Sequence, residues 1–263
     1  MMEYYLLYLL LGMIAGIAAG LLGIGGGLLI VPVLVFIFER QQFDPGVIVH
    51  LAVGTSLATI VLTSLSSVRA HHRHGAVLWP LFRRMVPGII AGALLGSVIA
   101  DRMPTGILKW VFGIFELTVA TQMILAYKPN PHRDLPGLPG MTLASTLIGA
   151  ISAIVGIGGG TMTVPFLVWC NVAMRKAVAT AAACGLPIAV GGAAGFVING
   201  WGDAGLPAHS SGYVYWPAFI GIVVTSVLFA PLGARLAHRL PQAQLKRIFA
   251  LLLYALGIRM LLG

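Results

Sequence analysis

The sequence predicts an all-α, polytopic membrane protein made of two inverted repeats, each with a glycine-broken helical hairpin and three transmembrane helices. Three observations carry that prediction. Of 263 residues, 59% are hydrophobic and 9% charged, with a mean hydropathy of +0.97, against about 25% charge in soluble domains. Apolar stretches of membrane-spanning length recur from one end of the chain to the other. One glycine motif occurs twice inside such stretches: Gly23-Ile24-Gly25-Gly26-Gly27 ahead of Val31-Pro32, and Gly156-Ile157-Gly158-Gly159-Gly160 ahead of Val164-Pro165.

In chain order, the apolar segments run 4–38, 46–68, 77–100, 105–127, 141–170, 176–200, 213–237 and 242–262. The first exceeds one crossing: as a straight helix it would reach about 50 Å, against a hydrocarbon core of about 30 Å. Three glycines followed by proline break it, and the same holds for 141–170. Each therefore reads as a hairpin of two arms. The remaining segments read as single crossings, separated by charges and breakers such as Glu39 to Pro45, Arg69 to Gly75 and Asp101 to Pro104. No Lys or Arg precedes the first apolar run, so no cleaved signal peptide is expected.

The longest separator is proline-rich, which divides the chain into a first repeat (1–128), a linker (129–140) and a second repeat (141–263). Beyond the glycine motif, Trp79-Pro80 recurs as Trp216-Pro217, Arg102 as Arg239, Pro104 as Pro241 and Leu108-Lys109 as Leu245-Lys246, all at one offset. Ala52-Val53-Gly54-Thr55 likewise resembles Ala177-Val178-Ala179-Thr180. Charge decides the relative orientation. With eight single crossings the 16 Lys and Arg divide seven to nine; with two broken hairpins they divide twelve to four. The second arrangement obeys the positive-inside rule, makes the basic loops cytoplasmic, and gives each half an odd number of crossings, hence inversion.

Non-helical backbone at membrane depth must line a cavity or contact protein, and paired breaks in corresponding halves point to a transporter's binding site. Gly25, Gly26, Gly27, Gly158, Gly159 and Gly160 let backbone N–H groups converge on a small anion, with a helix start behind each turn. No Lys or Arg lies near either motif. Thr55, Ser56 and Thr180 follow the motif segments, and Thr161 and Thr163 follow the second motif directly; all five are candidate hydroxyl donors. Gly12, Gly16 and Gly20, and Gly88, Gly92 and Gly96, are read as helix-packing stripes.

Glu116 is the one charged residue in the middle of an apolar segment, a position that is costly and functional by default, so it is the candidate for proton coupling. Its counterpart in the second half is Leu253. The net charge of +9 reflects loops rather than a nucleic-acid footprint. Cys170 and Cys184 lack metal-ligand spacing and read as packing residues, and His71, His72 and His74 as part of a solvated basic loop. No cofactor or metal is implied. A dinucleotide fingerprint fails because Leu28 stands at the third glycine position.

The duplicated Gly-x-Gly-Gly-Gly-x-x-x-Val-Pro, with Ala52-Val53-Gly54-Thr55-Ser56-Leu57 and with His74-Gly75-Ala76-Val77 ahead of Trp79, resembles the sulfite exporter TauE/SafE family, also called the toluene sulfonate uptake permeases. The resemblance covers nearly the whole chain. It implies transport of small sulfur-containing anions, such as sulfite or organosulfonates, across the bacterial inner membrane. The second half lacks the serine that follows Thr55.

The expected partners are thus a small anionic substrate, the lipid bilayer and a coupling proton or other ion, with no nucleic acid; a homo-oligomer stays open. With no nucleotide-binding motif, the reading is a secondary, alternating-access transporter and not an enzyme. An anion channel using the same amides is the alternative, and a membrane-embedded enzyme ranks below both.

Overall fold

The structure, a computed structural model, describes residues 2–22, 26–125, 134–237 and 242–263. Gly23, Ile24 and Gly25, residues 129–133 of the linker, and Arg239 therefore lie outside the described residues.

Ten helices are present among them: α1 (Met2–Leu22), α2 (Gly27–Arg40), α3 (Ile48–Arg73), α4 (Trp79–Asp101), α5 (Thr105–Ile124), α6 (Leu138–Val155), α7 (Gly160–Trp169), α8 (Met174–Asn199), α9 (Trp216–Ala237) and α10 (Gln242–Leu262). Seven are long and apolar enough to cross a membrane, which makes this an all-α polytopic membrane fold. Large apolar side chains such as Leu95, Trp110, Leu143 and Leu228 remain exposed on the outside, as a lipid-facing surface requires.

Both motif segments divide in two at their glycines, but the arms are unequal. The first arms have 21 and 18 residues (α1 and α6) and the second 14 and 10 (α2 and α7). Pro32 and Pro165 do not mark the breaks. Each sits six residues into its new helix, where it removes one intrahelical hydrogen bond without ending the helix. The α6 terminus carries a left-handed cap: Gly156 has φ 70°, and the Ile157 N–H reaches back to the Ser152 carbonyl at 3.0 Å.

Each broken segment begins and ends at the same end of the bundle. The Tyr4 hydroxyl donates to the Arg40 carbonyl at 3.1 Å, joining the start of α1 to the end of α2. At the opposite end Met141 of α6 and Leu167 of α7 share a cluster with Leu81 and Ala177.

The helices pair across the two halves. Gly12 and Gly16 of α1 lie against Ile222 and Ser226 of α9, and Gly88, Gly92 and Gly96 of α4 against Thr142, Thr146 and Ala150 of α6. Both pairs run parallel, with glycines admitting backbone to backbone as the stripes predict. The pairs α3–α8 and α5–α10 run antiparallel: Gly54 meets Phe196 and Gly192 meets Leu57, while Gly113 meets Leu261 and Gly257 meets Leu117.

The segment expected to open a helix at 213 instead begins with a small antiparallel ribbon, β1 (Ser210–Ser211) and β2 (Val214–Tyr215). Gly212, at φ 52°, makes its turn against the Val197 backbone. Tyr213 packs on His50 and donates towards Asp101 Oδ1 (3.1 Å) and Asp203 Oδ2 (3.0 Å). Burial, with both carboxylates beside it, pushes this phenol well above its ordinary range, so it keeps its proton and acts as donor. His71, His72 and Arg73, read as loop, form the last turn of α3, and the Trp79 indole donates to His72 Nδ1 at 3.2 Å.

Candidate functional site

The two motifs meet. Gly27, the first residue of α2, packs on the second motif so closely that a methyl there would fall 2.5 Å from the Gly156 carbonyl oxygen and 3.0 Å from Ile157 Cα. Ile60 of α3 lies beside both Gly27 and Gly158. Gly159 faces α8, where a methyl would stand 2.8 Å from the Ala181 carbonyl and 3.1 Å from the Gly185 nitrogen. The glycines are required here for close approach and not for positive φ, since Gly26 (φ −71°) and Gly159 (φ −63°) are both right-handed. Gly158 differs from its neighbours. It is buried, yet the nearest atom to a methyl placed on it is Ile60 Cγ2 at 3.7 Å.

Neither α2 nor α7 has a side-chain N-cap. The leading N–H groups of each helix are thus held by no side chain, and the positive end of its dipole is buried at the junction. Around the second motif the Oγ atoms of Thr161, Thr163 and Ser152 are buried without a hydrogen-bond partner. Such hydroxyls are seldom left unpaired, and here three flank one break. The first motif offers Leu28 and Ile30 in the matching places, so the junction is polar on the second-motif side alone. Ser56 fixes its position by donating to the Gly156 carbonyl at 2.9 Å.

Thr55 and Thr180 make a matched pair of contacts. Thr55 Oγ1 accepts the Tyr215 N–H and Thr180 Oγ1 accepts the Leu78 N–H, each at 3.0 Å. Tyr215 and Leu78 are the residues before the two Trp-Pro pairs, so each hydroxyl ties the start of a helix in the other half. Both threonines are fully buried. Gly160 opens α7 and Gly26 caps α2, whereas Gly25 lies outside the described residues. Glu116, on α5, has no exposed surface and neither carboxylate oxygen has a partner.

Sequence reasoning missed Ile60, Ser64, Ser152 and Gly185. Ser64 Oγ would stand 3.3 Å from a methyl on Gly185, which lies between α3 and the second motif. A signal existed: the offset that takes Thr55 to Thr180 also takes Ile60 to Gly185, both beside a motif. Two clefts lie at the bundle surface, one of about 380 Å³ beside Tyr5, Trp216 and Ile220 and one of about 540 Å³ beside Gln42 and Lys109.

Seven apolar spanning helices make this a multi-pass membrane protein, and paired breaks such as those at the two glycine motifs are a feature of the transporter class. The chain belongs to the sulfite exporter TauE/SafE family, whose model matches residues 8–260. It is similar to a probable membrane transporter protein of Haemophilus influenzae, 36% identical over 263 residues covering 100% of both chains. A probable membrane transporter protein of Methanocaldococcus jannaschii is 27% identical over 97% of this chain and 95% of its own. YunE of Bacillus subtilis, also a probable membrane transporter protein, is 26% identical over 98% of this chain and 97% of its own. No solved structure matches significantly. These names point to transporters and not to enzymes, with a small-molecule substrate and a lipid environment.

Proposed function

We propose that this chain is a secondary transporter of small sulfur-containing or organic anions, with sulfite and sulfonates foremost, working by alternating access across the inner membrane. The observation that carries this reading is the junction itself: the start of α2 packs on Gly156 and Ile157 of the second motif, just ahead of the start of α7, in a buried place with no Lys or Arg among the described residues. Backbone amides and helix dipoles hold an anion there without a buried cation, and the unpartnered hydroxyls of Thr161 and Thr163 add donors from one side. The printed family description, sulfite exporter, agrees with a sulfur oxyanion.

The two repeats, 1–128 and 141–263, are inverted about an axis in the membrane plane. The paired hydrogen bonds of Thr55 and Thr180, the exchanged parallel pairs α1–α9 and α4–α6, and the antiparallel α3–α8 and α5–α10 pairs all support that symmetry. On this reading the twelve-cation side is cytoplasmic, and cysteines introduced at Arg73 and Arg175 label from the cytoplasmic side. Labelling of the two positions from opposite sides overturns the arrangement.

Glu116 supplies the coupling proton. A carboxyl with no partner and no exposure inside a spanning helix is costly and marks a functional position by default. Proteoliposomes loaded with sulfite test both claims at once. Saturable, exchangeable flux that depends on external pH in wild type, and is pH-insensitive in Glu116→Gln, is the expected result. Ohmic, non-saturating flux favours a channel, and an unchanged pH profile removes Glu116 from the mechanism.

A further inference from the structure

Two short straps lie on α3 and α8, and they match. Residues 74–78 lead into Trp79-Pro80 at the start of α4, and the ribbon 210–215 leads into Trp216-Pro217 at the start of α9. Each strap is tethered at its last residue to the helix beneath it. The Leu78 N–H donates to Thr180 Oγ1 of α8, and the Tyr215 N–H to Thr55 Oγ1 of α3, each at 3.0 Å. The tryptophan behind each strap is held alike. The Trp79 indole donates to His72 and its ring meets Phe82 edge-on; the Trp216 indole donates to Ser211 and its ring meets Phe219 edge-on.

The straps flank the glycine junction from opposite ends. Ile60 of α3 and Gly185 of α8 both lie beside the second motif. Thr55 stands five residues before Ile60, and Thr180 five before Gly185, a distance of about 7.5 Å along each helix. Because α3 and α8 run antiparallel, these equal steps lead away from the junction in opposite directions. At one end Ala76 and Val77 are buried against Ala179 and Ala183. At the other, Tyr213 and Val214 are buried, with the Tyr213 carbonyl seated in the notch of Gly54 and its ring edge-on to Phe196. A short segment with two buried apolar side chains and a hydroxyl tether is among the easier parts of a fold to release. The helices behind the straps are not, since α4 and α9 are packed backbone to backbone on α6 and α1.

We propose that straps 74–78 and 210–215 are the two gates of the junction, latched shut by Thr180 and Thr55, and that access alternates by release of one latch at a time. The purpose of the gates rests on the transport reading, but the latches are open to test without any substrate.

The test uses Gly158→Cys, a motif position with open space for a side chain, in a full chain carrying Cys170→Ala and Cys184→Ala. Its rate of reaction with a membrane-impermeant methanethiosulfonate is measured in right-side-out and in inside-out vesicles. Thr180→Val and Thr55→Val keep the branched shape of each side chain and remove the acceptor. Thr180→Val is expected to speed labelling about fivefold or more from one face of the membrane only, and Thr55→Val from the opposite face only. That is the change which loss of one net hydrogen bond makes in an opening equilibrium. Thr180→Ser and Thr55→Ser, which keep the hydroxyl, should label at the unsubstituted rate. Equal acceleration from both faces, acceleration of both variants from the same face, or no acceleration in either overturns the proposal. Side-specific labelling in vesicles that carry no sulfite flux keeps the gates and counts against the anion reading alone.

Discussion

Gly158→Leu is expected to abolish uptake while leaving a folded, monodisperse protein. A methyl on Gly158 meets only Ile60 Cγ2, at 3.7 Å, so the backbone has room for a side chain there. The carbons of leucine would then crowd the space ahead of α7, where the anion is proposed to bind. Losing two charge-assisted bonds at about 1.5–3 kcal/mol each weakens binding by about a hundredfold or more. Gly27→Ala is the informative contrast, because its methyl would fall 2.5 Å from the Gly156 carbonyl. That overpacking costs about 1–3 kcal/mol or more and unsettles the junction itself. Uptake by reconstituted protein, read beside its thermal midpoint, separates the two effects. Normal uptake by a folded Gly158→Leu protein would remove the anion from this junction.

Gly92→Leu should destabilise the fold itself and not merely impair transport. A methyl at Gly92 would lie 2.8 Å from the Thr146 carbonyl carbon and 2.9 Å from its Cα, both main-chain atoms of α6 that cannot swing aside. The helices must separate, and with them Gly88 and Gly96, which touch the same face. A penalty of about 3 kcal/mol or more is a large fraction of a stability of about 5–15 kcal/mol. The expected reading is little protein in the monodisperse peak after extraction and a midpoint lowered by several degrees in what remains. An unshifted midpoint would mean that α4 and α6 are held by contacts other than this stripe.

The apolar segments, the breaks at the glycines and both packing stripes were legible because each rests on a local pattern: length, a missing side chain, or a four-residue period. What escaped notice depended on partners far away in the chain. Thr55 and Thr180 read as hydroxyl donors, but that their oxygens also accept N–H groups from the opposite half is announced by no local signal. The ribbon at 210–215 has two-residue strands that exist only because Gly54 and the Val197 backbone receive it. The prolines misled in a smaller way. Pro32 and Pro165 read as part of the break, but a helix tolerates a proline in its second turn when the lost hydrogen bond is its only cost. Ser64 and Gly185 were within reach, had the offset between halves been carried past the matching tetrapeptides.

The pairing of α1 with α9 also sets an order of events during synthesis. The Thr225 hydroxyl donates to the Leu9 carbonyl at 2.8 Å across 216 residues of chain. At about 5–20 residues per second, roughly 10–40 s separate the emergence of the two helices from the ribosome. Through that interval α1 resides in the bilayer with the notch at Gly12 and Gly16 unfilled. The nascent chain therefore presents in α1 a grooved helix that lipid or an insertion factor must occupy until its late partner arrives.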